Sequence, residues 1–487
     1  MILNSFSFLI VLPLVLAVYA VIIYLCRNSR YSNIISAALL TSISYGFFIT
    51  YQPLGALVLF GITVATYLFA LALGRIDGKE LGKGHLKRRN TLIACGVVLV
   101  LIPLAVMKYA GFIMQSLNDL ECRMGVDFIA DNTDTLTTIF VPLGISFFTF
   151  QSLGYLWDVY RGKISAEHNF LYYMLFVGFF PQIASGPISK ADELLPQIKG
   201  KRNIKAEDFT EGVRLMLWGY FLKAVVADRL ATFVNPVYAN YADFSGGTCF
   251  VASIFYSLQI YGDFAGYSLI AIGVGRLFGF RLINNFNRPY FSSSLTEFWK
   301  RWHISLTRWL RDYVYIPLGG NRKGNTRTYG NILTTFLVSG IWHGANFTFI
   351  IWGAIHGIVQ CLERFFNISK APRKWVAVIR IIVTFLIVNF AWIFFRLPSV
   401  HDAWQVVVRI CTCAPGARMA LSNTDMLLLG FALISLVTVE IVQEYFPNVS
   451  LLRHRNIVVR CATIVALIVC ILTVGVLDSG QFIYVNF

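Results

Sequence analysis

Apolar stretches near the length of a membrane-crossing helix, about 20 residues, recur along the whole chain and are separated by short polar segments. Inside a bilayer, backbone amides must bond within helices or closed barrels, and unbroken apolar runs favour helices over strands. The predicted spans are residues 6–25, 34–50, 53–73, 91–115, 136–157, 169–187, 211–233, 249–275, 330–350, 351–363, 377–396, 425–443 and 458–477. The pattern therefore predicts an all-α polytopic membrane protein.

The composition supports an integral membrane protein that crosses the bilayer roughly ten times. Of the 487 residues, 57% are hydrophobic and only 14% are charged, whereas soluble domains average about 25% charged residues. So little charge cannot solvate a globular surface of this size. The first stretch, residues 6–25, lacks a basic start and a small-residue cleavage site, so we interpret it as a span and not as a signal peptide.

The net charge of +16 reflects membrane topology and not nucleic-acid binding, because the basic residues lie in short loops between apolar runs. Lys and Arg collect in the loop 75–90 and in the stretch 276–329, which are predicted to be cytoplasmic. The acidic loop 116–135 and the loop 234–248, which has no Lys or Arg, are predicted to face outward. Counting crossings from the first span then predicts an N-terminus outside the cell.

Segment 169–187 does not fit this count, because basic loops flank it on both sides. Pro181 and Pro187 also interrupt its helical pattern. We interpret it as a re-entrant segment that enters and leaves on the cytoplasmic side, so that residues 180–188 line an internal cavity. The alternative is a kinked span with a misassigned loop.

Two histidines occupy positions where histidine is costly. His343 lies in an apolar segment between Gly340 and Gly344, and an ionisable residue in a span indicates a functional site. Its imidazole can accept and return a proton during acyl transfer; the alternative is a neutral histidine bonded across helices. His303 lies in a predicted amphipathic helix that begins at Thr296 and places Trp299, Trp302, His303 and Leu306 on one stripe.

The opposite face of that helix is basic. It carries Lys300, Arg301, Arg308 and Arg311. Such a face suits either the phosphates of a nucleotide-based donor or the headgroups of anionic lipids, and the sequence leaves both open.

Other buried polar positions favour structural roles. Asp263 can steer a substrate or bond across helices, and we favour bonding. His356 is predicted to pack beside Gly353 and Gly357, and Ser339 to bond back to its own helix. Motifs of hydrolases, ATP-driven pumps and metalloproteases are missing from the sequence, and no metal site is predicted.

Several motifs follow one another in the second half of the chain. They are Asn287-Arg288-Pro289-Tyr290, Pro317-Leu318-Gly319-Gly320-Asn321-Arg322 and Trp342-His343-Gly344, with Phe298-Trp299-Lys300-Arg301-Trp302-His303 between the first two. In this order they resemble the membrane-bound O-acyltransferase family, in the branch of the alginate O-acetylation and teichoic-acid D-alanylation membrane subunits. The chain departs from that branch at Ala265, at Leu269 and in its C-terminal segment 482–487.

The resemblance implies one membrane-embedded domain over residues 1–487, with about 11–12 transmembrane helices and re-entrant segments around a central tunnel. The core of this domain would be about residues 261–356. His343 matches the family's catalytic histidine and His303 the second histidine of the branch. The substrate-binding residues would be Arg288, Lys300, Arg301, Arg308, Arg311, Trp342, Asn346 and Asp263.

The expected function is transfer of an acyl group, most simply acetyl, from a cytoplasmic thioester to an exported polysaccharide in a bacterial inner membrane. The donor would be acetyl-CoA or an acyl carrier protein, with no bound cofactor. An extracytoplasmic protein with a serine-histidine-aspartate site would receive the acyl group. The alternatives are acylation of a secreted polypeptide and solute transport. A transporter is disfavoured because the sequence shows only one irregular segment and no convincing internal repeat.

Overall fold

The computed structural model describes residues 3, 5–76, 83–124, 140–183, 185–201, 204–368 and 374–476. These residues form helices and connecting loops, and their single β-type contact is an isolated bridge between Phe244 and Ala417. The C-terminal segment 482–487 and most of the acidic loop 116–135 lie outside the described residues.

The described residues of the first half of the chain form nine helices. They are α1 (Phe6–Cys26), α2 (Ser32–Tyr51), α3 (Pro53–Arg75), α4 (Lys83–Leu104), α5 (Ala110–Met124), α6 (Ile145–Tyr160), α7 (Phe170–Gly178), α8 (Phe180–Ile183) and α9 (Ala191–Lys199). A π-helical turn, Ala105–Tyr109, joins α4 to α5, so the predicted span 91–115 lies within one longer helical stretch. Helix α9 was not predicted.

The second half contains α10 (Ala206–Tyr220), α11 (Asp228–Ala239), α12 (Gly246–Leu277), α13 (Leu295–Arg301), α14 (Ile304–Leu310), α15 (Asn325–His343), α16 (Phe347–Phe365), α17 (Lys374–Arg396), α18 (Val400–Cys411), α19 (Asn423–Tyr445) and α20 (Ile457–Val474). Single π-helical turns, Phe221–Ala227 and Arg311–Tyr315, follow α10 and α14. The amphipathic helix α18 was not predicted, because with 12 residues it is too short to cross a membrane and the apolar stretches predict only spans.

Seven of the described helices are long and apolar enough to cross a membrane. They are Ser7–Cys26, Ser32–Tyr51, Pro53–Arg75, Gly84–Asn118, Trp375–Arg396, Asn423–Tyr445 and Ile457–Val474. The prediction of an all-α polytopic membrane protein is therefore confirmed. The predicted spans 211–233 and 249–275 also lie in helical segments, and the span 330–350 is helical as far as His343. The total of about 11–12 crossings and the central tunnel stay predictions.

The chain divides into two compact units. One contains Met1–Ala206 and Gly275–Leu282, and the other contains Glu207–Val274 and Ile283–Phe487. The single domain over residues 1–487 stays a prediction, and so does the core 261–356, which falls mainly in the second unit.

In the first unit, segment 169–187 is broken, as its prolines predict. Helix α7 has nine residues and ends at Gly178, so it spans about 14 Å and is too short to cross the bilayer. Side chains satisfy the backbone groups that the break leaves free: Gln151 donates to the Phe176 carbonyl at 2.7 Å, and Ser44 accepts from the Phe180 N–H at 3.2 Å. The segment is therefore buried and irregular, and the re-entrant interpretation stays a prediction.

In the second unit, α15 and α16 form a tight helical pair. A Cβ on Gly340 would lie 2.3 Å from the Phe349 carbonyl oxygen, and one on Gly353 would lie 2.4 Å from the Phe336 carbonyl oxygen. Glycine is thus required at both positions for the backbones to approach. The break between the helices falls at residues 344–346, and not at residue 350 where the two apolar segments were divided, because Asn346 caps α16.

Candidate functional site

His343 is the last residue of α15, at the break before α16. A Cβ on the next residue, Gly344, would lie 2.1 Å from the Phe349 ring, so a glycine is needed for the chain to turn here. The imidazole is 4% exposed and lies among three aromatic rings at centroid distances of 4.7, 5.0 and 5.2 Å, those of Trp342, Trp352 and Phe395. His343 is thus buried, as predicted, and lies at a helix end. The last carbonyl groups of a helix have no hydrogen-bond partner within that helix.

His303 lies between two short helices, so the predicted continuous helix from Thr296 is wrong. Its φ of 41° is left-handed, α13 ends at Arg301 and α14 begins at Ile304. The Ile304 N–H donates to the Asn285 carbonyl at 2.9 Å, and this pairing with an extended segment replaces the helical hydrogen bonds. The predicted cap is also wrong: Ser294, and not Thr296, accepts from the Glu297 N–H at 3.0 Å.

The His303 imidazole is fully buried and reaches the same aromatic cluster as His343. Its ring centroid lies 4.6 Å from that of Phe264 and 6.2 Å from that of Trp342. Burial lowers the pKa of His303 to about 3, so the ring is neutral at physiological pH. Both predicted histidine rings therefore lie near the Trp342 ring, with centroid distances of 6.2 Å for His303 and 4.7 Å for His343. The sequence placed Trp342 only beside His343.

Of the predicted basic residues, Arg288 and Arg301 come together on one carboxylate. Both bind Glu444 of α19, at 2.6 and 2.9 Å, and Arg301 also binds Glu297 at 2.7 Å. These pairs already neutralise part of the positive charge that the sequence offered to a donor.

The other basic positions differ from that pair. Lys300 is exposed, Arg308 is partly buried, and Arg311 binds its neighbour Asp312 at 2.8 Å. Among the described residues, no group of three or more His, Cys, Asp and Glu side chains could hold a metal ion.

Asp263 forms an ion pair within the protein, which agrees with the structural role that we favoured. Its carboxylate lies 2.7 Å from the Lys223 ammonium, which also binds Asp228 at 2.7 Å, and all three side chains are nearly buried. A buried lysine between two carboxylates fixes the π-helical turn against α12. Lys223 was not predicted as a partner. It could have been found by the same signal as Asp263, because it is also an ionisable residue within a predicted span.

Asn346, a predicted substrate-binding residue, bonds to neighbouring backbone groups, and its role toward substrate stays a prediction. Its Oδ1 accepts from the Thr348 N–H at 3.0 Å, which caps α16, and its Nδ2 donates to the Pro398 carbonyl at 2.5 Å. Both amide atoms are therefore committed to local structure, because an N-cap residue must satisfy free N–H groups at the helix start.

His356 packs as predicted, fully buried on α16. Its Nδ1 accepts from the Trp299 indole at 3.4 Å. The interpretation of Ser339 was wrong, because its buried hydroxyl finds no hydrogen-bond partner among the described residues, its own helix included.

Asn285 and Glu444 were missed as site residues. Asn285 bonds to His303, and Glu444 joins Arg288 to Arg301. Neither stands out in the sequence: Asn285 lies in a polar loop, and Glu444 ends an apolar helix at a position typical of the interface. Only the folded chain brings them to the predicted residues.

Comparisons with known proteins identify relatives over most of the chain. A family model described as MBOAT, membrane-bound O-acyltransferase family, matches residues 163–401, which include both histidines. The probable alginate O-acetylase AlgI of Pseudomonas aeruginosa is 39% identical over 408 residues, covering 83% of this chain and 73% of that protein.

More distant relatives carry other acceptors in their names. The peptidoglycan O-acetyltransferase of Helicobacter pylori is 34% identical over 389 residues, covering 74% of this chain and 70% of that protein. The teichoic acid D-alanyltransferase of Bacillus subtilis is 29% identical over 279 residues, covering 53% of this chain and 69% of that protein.

Proposed function

We propose that this chain, which belongs to the membrane-bound O-acyltransferase family, transfers an acetyl group from a cytoplasmic thioester toward a cell-surface polysaccharide. The observation that carries the proposal is the burial of His303 and His343, whose rings both lie near the ring of Trp342. Two of its relatives are O-acetyltransferases with glycan acceptors in their names, alginate and peptidoglycan, which supports the acetyl group and the acceptor class.

In this proposal, His343 is the general base. Its imidazole accepts the proton of the acceptor hydroxyl while the hydroxyl oxygen bonds to the thioester carbonyl carbon. The carbon–sulfur bond then breaks, and the leaving thiolate receives the proton from the imidazolium as the thiol forms. The surrounding aromatic rings exclude water, which limits hydrolysis of the thioester.

The donor is acetyl-CoA or an acyl carrier protein thioester, and its phosphates would meet the basic residues between Arg288 and Arg311. Lys300 is exposed there, whereas a phosphate at Arg288 and Arg301 has to compete with Glu444. Guanidinium groups bind phosphate bidentately, so such an exchange of one anion for another is chemically reasonable.

The remaining assignments follow from the same family. We place the chain in a bacterial inner membrane with its N-terminus outside, and we propose that an extracytoplasmic protein with a serine-histidine-aspartate site receives the acyl group. The multi-pass helices support the membrane location. If the chain acylated a secreted polypeptide, the acceptor would differ from the proposed one. If it transported a solute, no acyl transfer would occur. The following test distinguishes these alternatives from the proposal.

The test uses the full chain in proteoliposomes with labelled acetyl-CoA, and follows thiol release, the labelled product and the entry of label into the vesicles. We expect His343→Gln to lower the rate at least about 100-fold. His356→Gln, a change to another buried histidine on the adjoining helix, should leave the rate of the folded protein unchanged. Where the wild type alone is inactive, the extracytoplasmic partner and an oligosaccharide acceptor are added.

Each result has a defined meaning. Label on the oligosaccharide supports the proposal, whereas label only on a polypeptide identifies a protein-acylating enzyme. Wild-type activity in His343→Gln, or no thiol release with partner and acceptor present, contradicts the proposal, and label crossing the membrane without thiol release indicates a transporter.

A further inference from the structure

Asn285 is a buried amide whose side chain holds the chain break at His303. It is 1% exposed, and its Oδ1 accepts from the Ser305 N–H at 3.1 Å and from the Ser305 hydroxyl at 3.0 Å. The same oxygen lies 3.1 Å from Nδ1 of His303. His303 stands at the N-cap position of α14, but its side chain does not cap the helix. Asn285 takes over this role, because its Oδ1 accepts from an N–H group in the first turn.

These contacts determine which nitrogen of His303 carries the hydrogen. A backbone N–H can only donate, so the amide atom that faces Ser305 N must be the oxygen. An oxygen that only accepts requires a hydrogen on Nδ1 of the ring beside it. The neutral imidazole then keeps its lone pair on Nε2.

The amide itself is held from the other side. Its Nδ2 donates to the Ser268 hydroxyl on α12 at 3.2 Å, so the amide orientation agrees at both ends. Phe264, one turn earlier on the same helix, packs edge-on against the His303 ring at 4.6 Å. Asn285 and α12 thus fix both the tautomer and the plane of the ring.

We propose that Asn285 is a positioning residue that holds His303 as the Nδ1–H tautomer, so that Nε2 accepts a hydrogen bond from the hydroxyl of the acyl acceptor. In this form the ring cannot donate from Nε2 to an oxyanion, which separates its role from stabilisation of the tetrahedral intermediate. The acceptor proton still passes to His343, and His303 only orients the hydroxyl. This inference rests on the proposed function.

The first variant removes the amide. We expect Asn285→Ala to lower kcat on the order of 100-fold, with an unchanged KM for acetyl-CoA, because a misoriented hydroxyl affects the chemical step and not donor binding. Asn285→Asp keeps an accepting oxygen beside Nδ1 and should restore most of the activity.

The matched control is Asn389→Ala. Asn389 is also a buried amide that bonds to α12, through Ser253 and Ser257, at 3.0 and 2.7 Å. It should lower thermal stability about as much as Asn285→Ala and leave kcat of the folded protein unchanged.

A second readout needs no turnover. In ¹⁵N-histidine NMR spectra, with the His303 signals assigned by difference from His303→Gln, we expect hydrogen on Nδ1 in the wild type and in Asn285→Asp, and a changed tautomer in Asn285→Ala. Wild-type hydrogen on Nε2, or wild-type kcat in Asn285→Ala, overturns the inference. Thiol release that His343→Gln abolishes would leave the proposed function intact in either case, so the two failures are distinguishable.

Discussion

At the scale of single residues, the partners of a polar side chain decide its role more than its position in the sequence does. Asp263 and Asn346 were both candidates for binding substrate, yet one is bound by Lys223 and the other caps a helix. His303 and His343, by contrast, are buried among aromatic rings. A buried histidine in such surroundings is costly to maintain, which is why it remains the stronger functional candidate.

One residue-scale prediction concerns Asp402, which lies outside the membrane spans at the start of α18. Hydrogen bonds from Ser399 at 2.6 Å and from Tyr241 at 2.7 Å lower the pKa of this carboxyl. A lowered pKa gives stability that is present above the unfolded value, about 4, and that is lost as the pH falls through the folded value. Melting temperatures should therefore fall between about pH 5 and about pH 3, and less steeply in Asp402→Asn.

The control for this prediction is Asp425→Asn. Asp425 accepts from Ser422 at 2.7 Å in the same helix-start arrangement. The difference between the two variants therefore isolates the Tyr241 bond. An equal pH slope in the wild type and in Asp402→Asn would show that the carboxyl does not contribute.

At the scale of elements, short breaks in helices create the site. His343 ends α15, and His303 separates α13 from α14, so both histidines lie where the helical hydrogen-bond pattern stops. Breaks of this kind survive inside a membrane protein only when side chains satisfy the freed backbone groups, as Asn285 and Asn346 do here.

The pairing of α15 with α16 gives the element-scale prediction. Gly340→Ala should lower thermal stability, by about 1–3 kcal/mol, because its Cβ meets a backbone carbonyl that cannot move without shifting α16. Gly330→Ala on the same helix has nothing within 4 Å of the new Cβ, so it should be neutral or slightly stabilising. Thermal unfolding in detergent compares the two; equal melting temperatures would contradict the close approach.

At the scale of the whole molecule, the apolar helices expose their side chains because lipid, and not water, surrounds them. Helix α20 illustrates this, since Val465, Val469 and Leu472 are all more than half exposed. Charge then assigns the sides: the loop 234–248 is predicted to face outward and the stretch 276–329 to face the cytoplasm.

This topology can be tested within the second unit. Ser245 bonds to the Ala417 carbonyl at 2.9 Å, so the exposed Cys411 and Cys413 belong to the same end of the unit as the loop 234–248. In right-side-out vesicles, a membrane-impermeant maleimide should label a variant that keeps only these two cysteines. It should not label a cysteine-free variant with Lys323→Cys until the membrane is permeabilised. The opposite pattern would invert the predicted topology.

The sequence by itself determined the fold class, most of the spans and the two histidines. The length and hydrophobicity of a span, and the cost of an ionisable group inside it, depend only on the residues of that span. They can therefore be read without knowing what packs against it. The motifs around His303 and His343 also determined the family.

How these residues act together depends on contacts between distant parts of the chain, which are seen only in the folded protein. The break at His303, the Asn285 amide beside it and the pairing of Arg288 and Arg301 on Glu444 all join residues that are far apart in sequence. Helical periodicity predicted a continuous helix through His303, but hydrogen bonds from the 285–287 segment replaced the helical ones. Local propensity is worth well under 1 kcal/mol per residue, so such distant contacts override it.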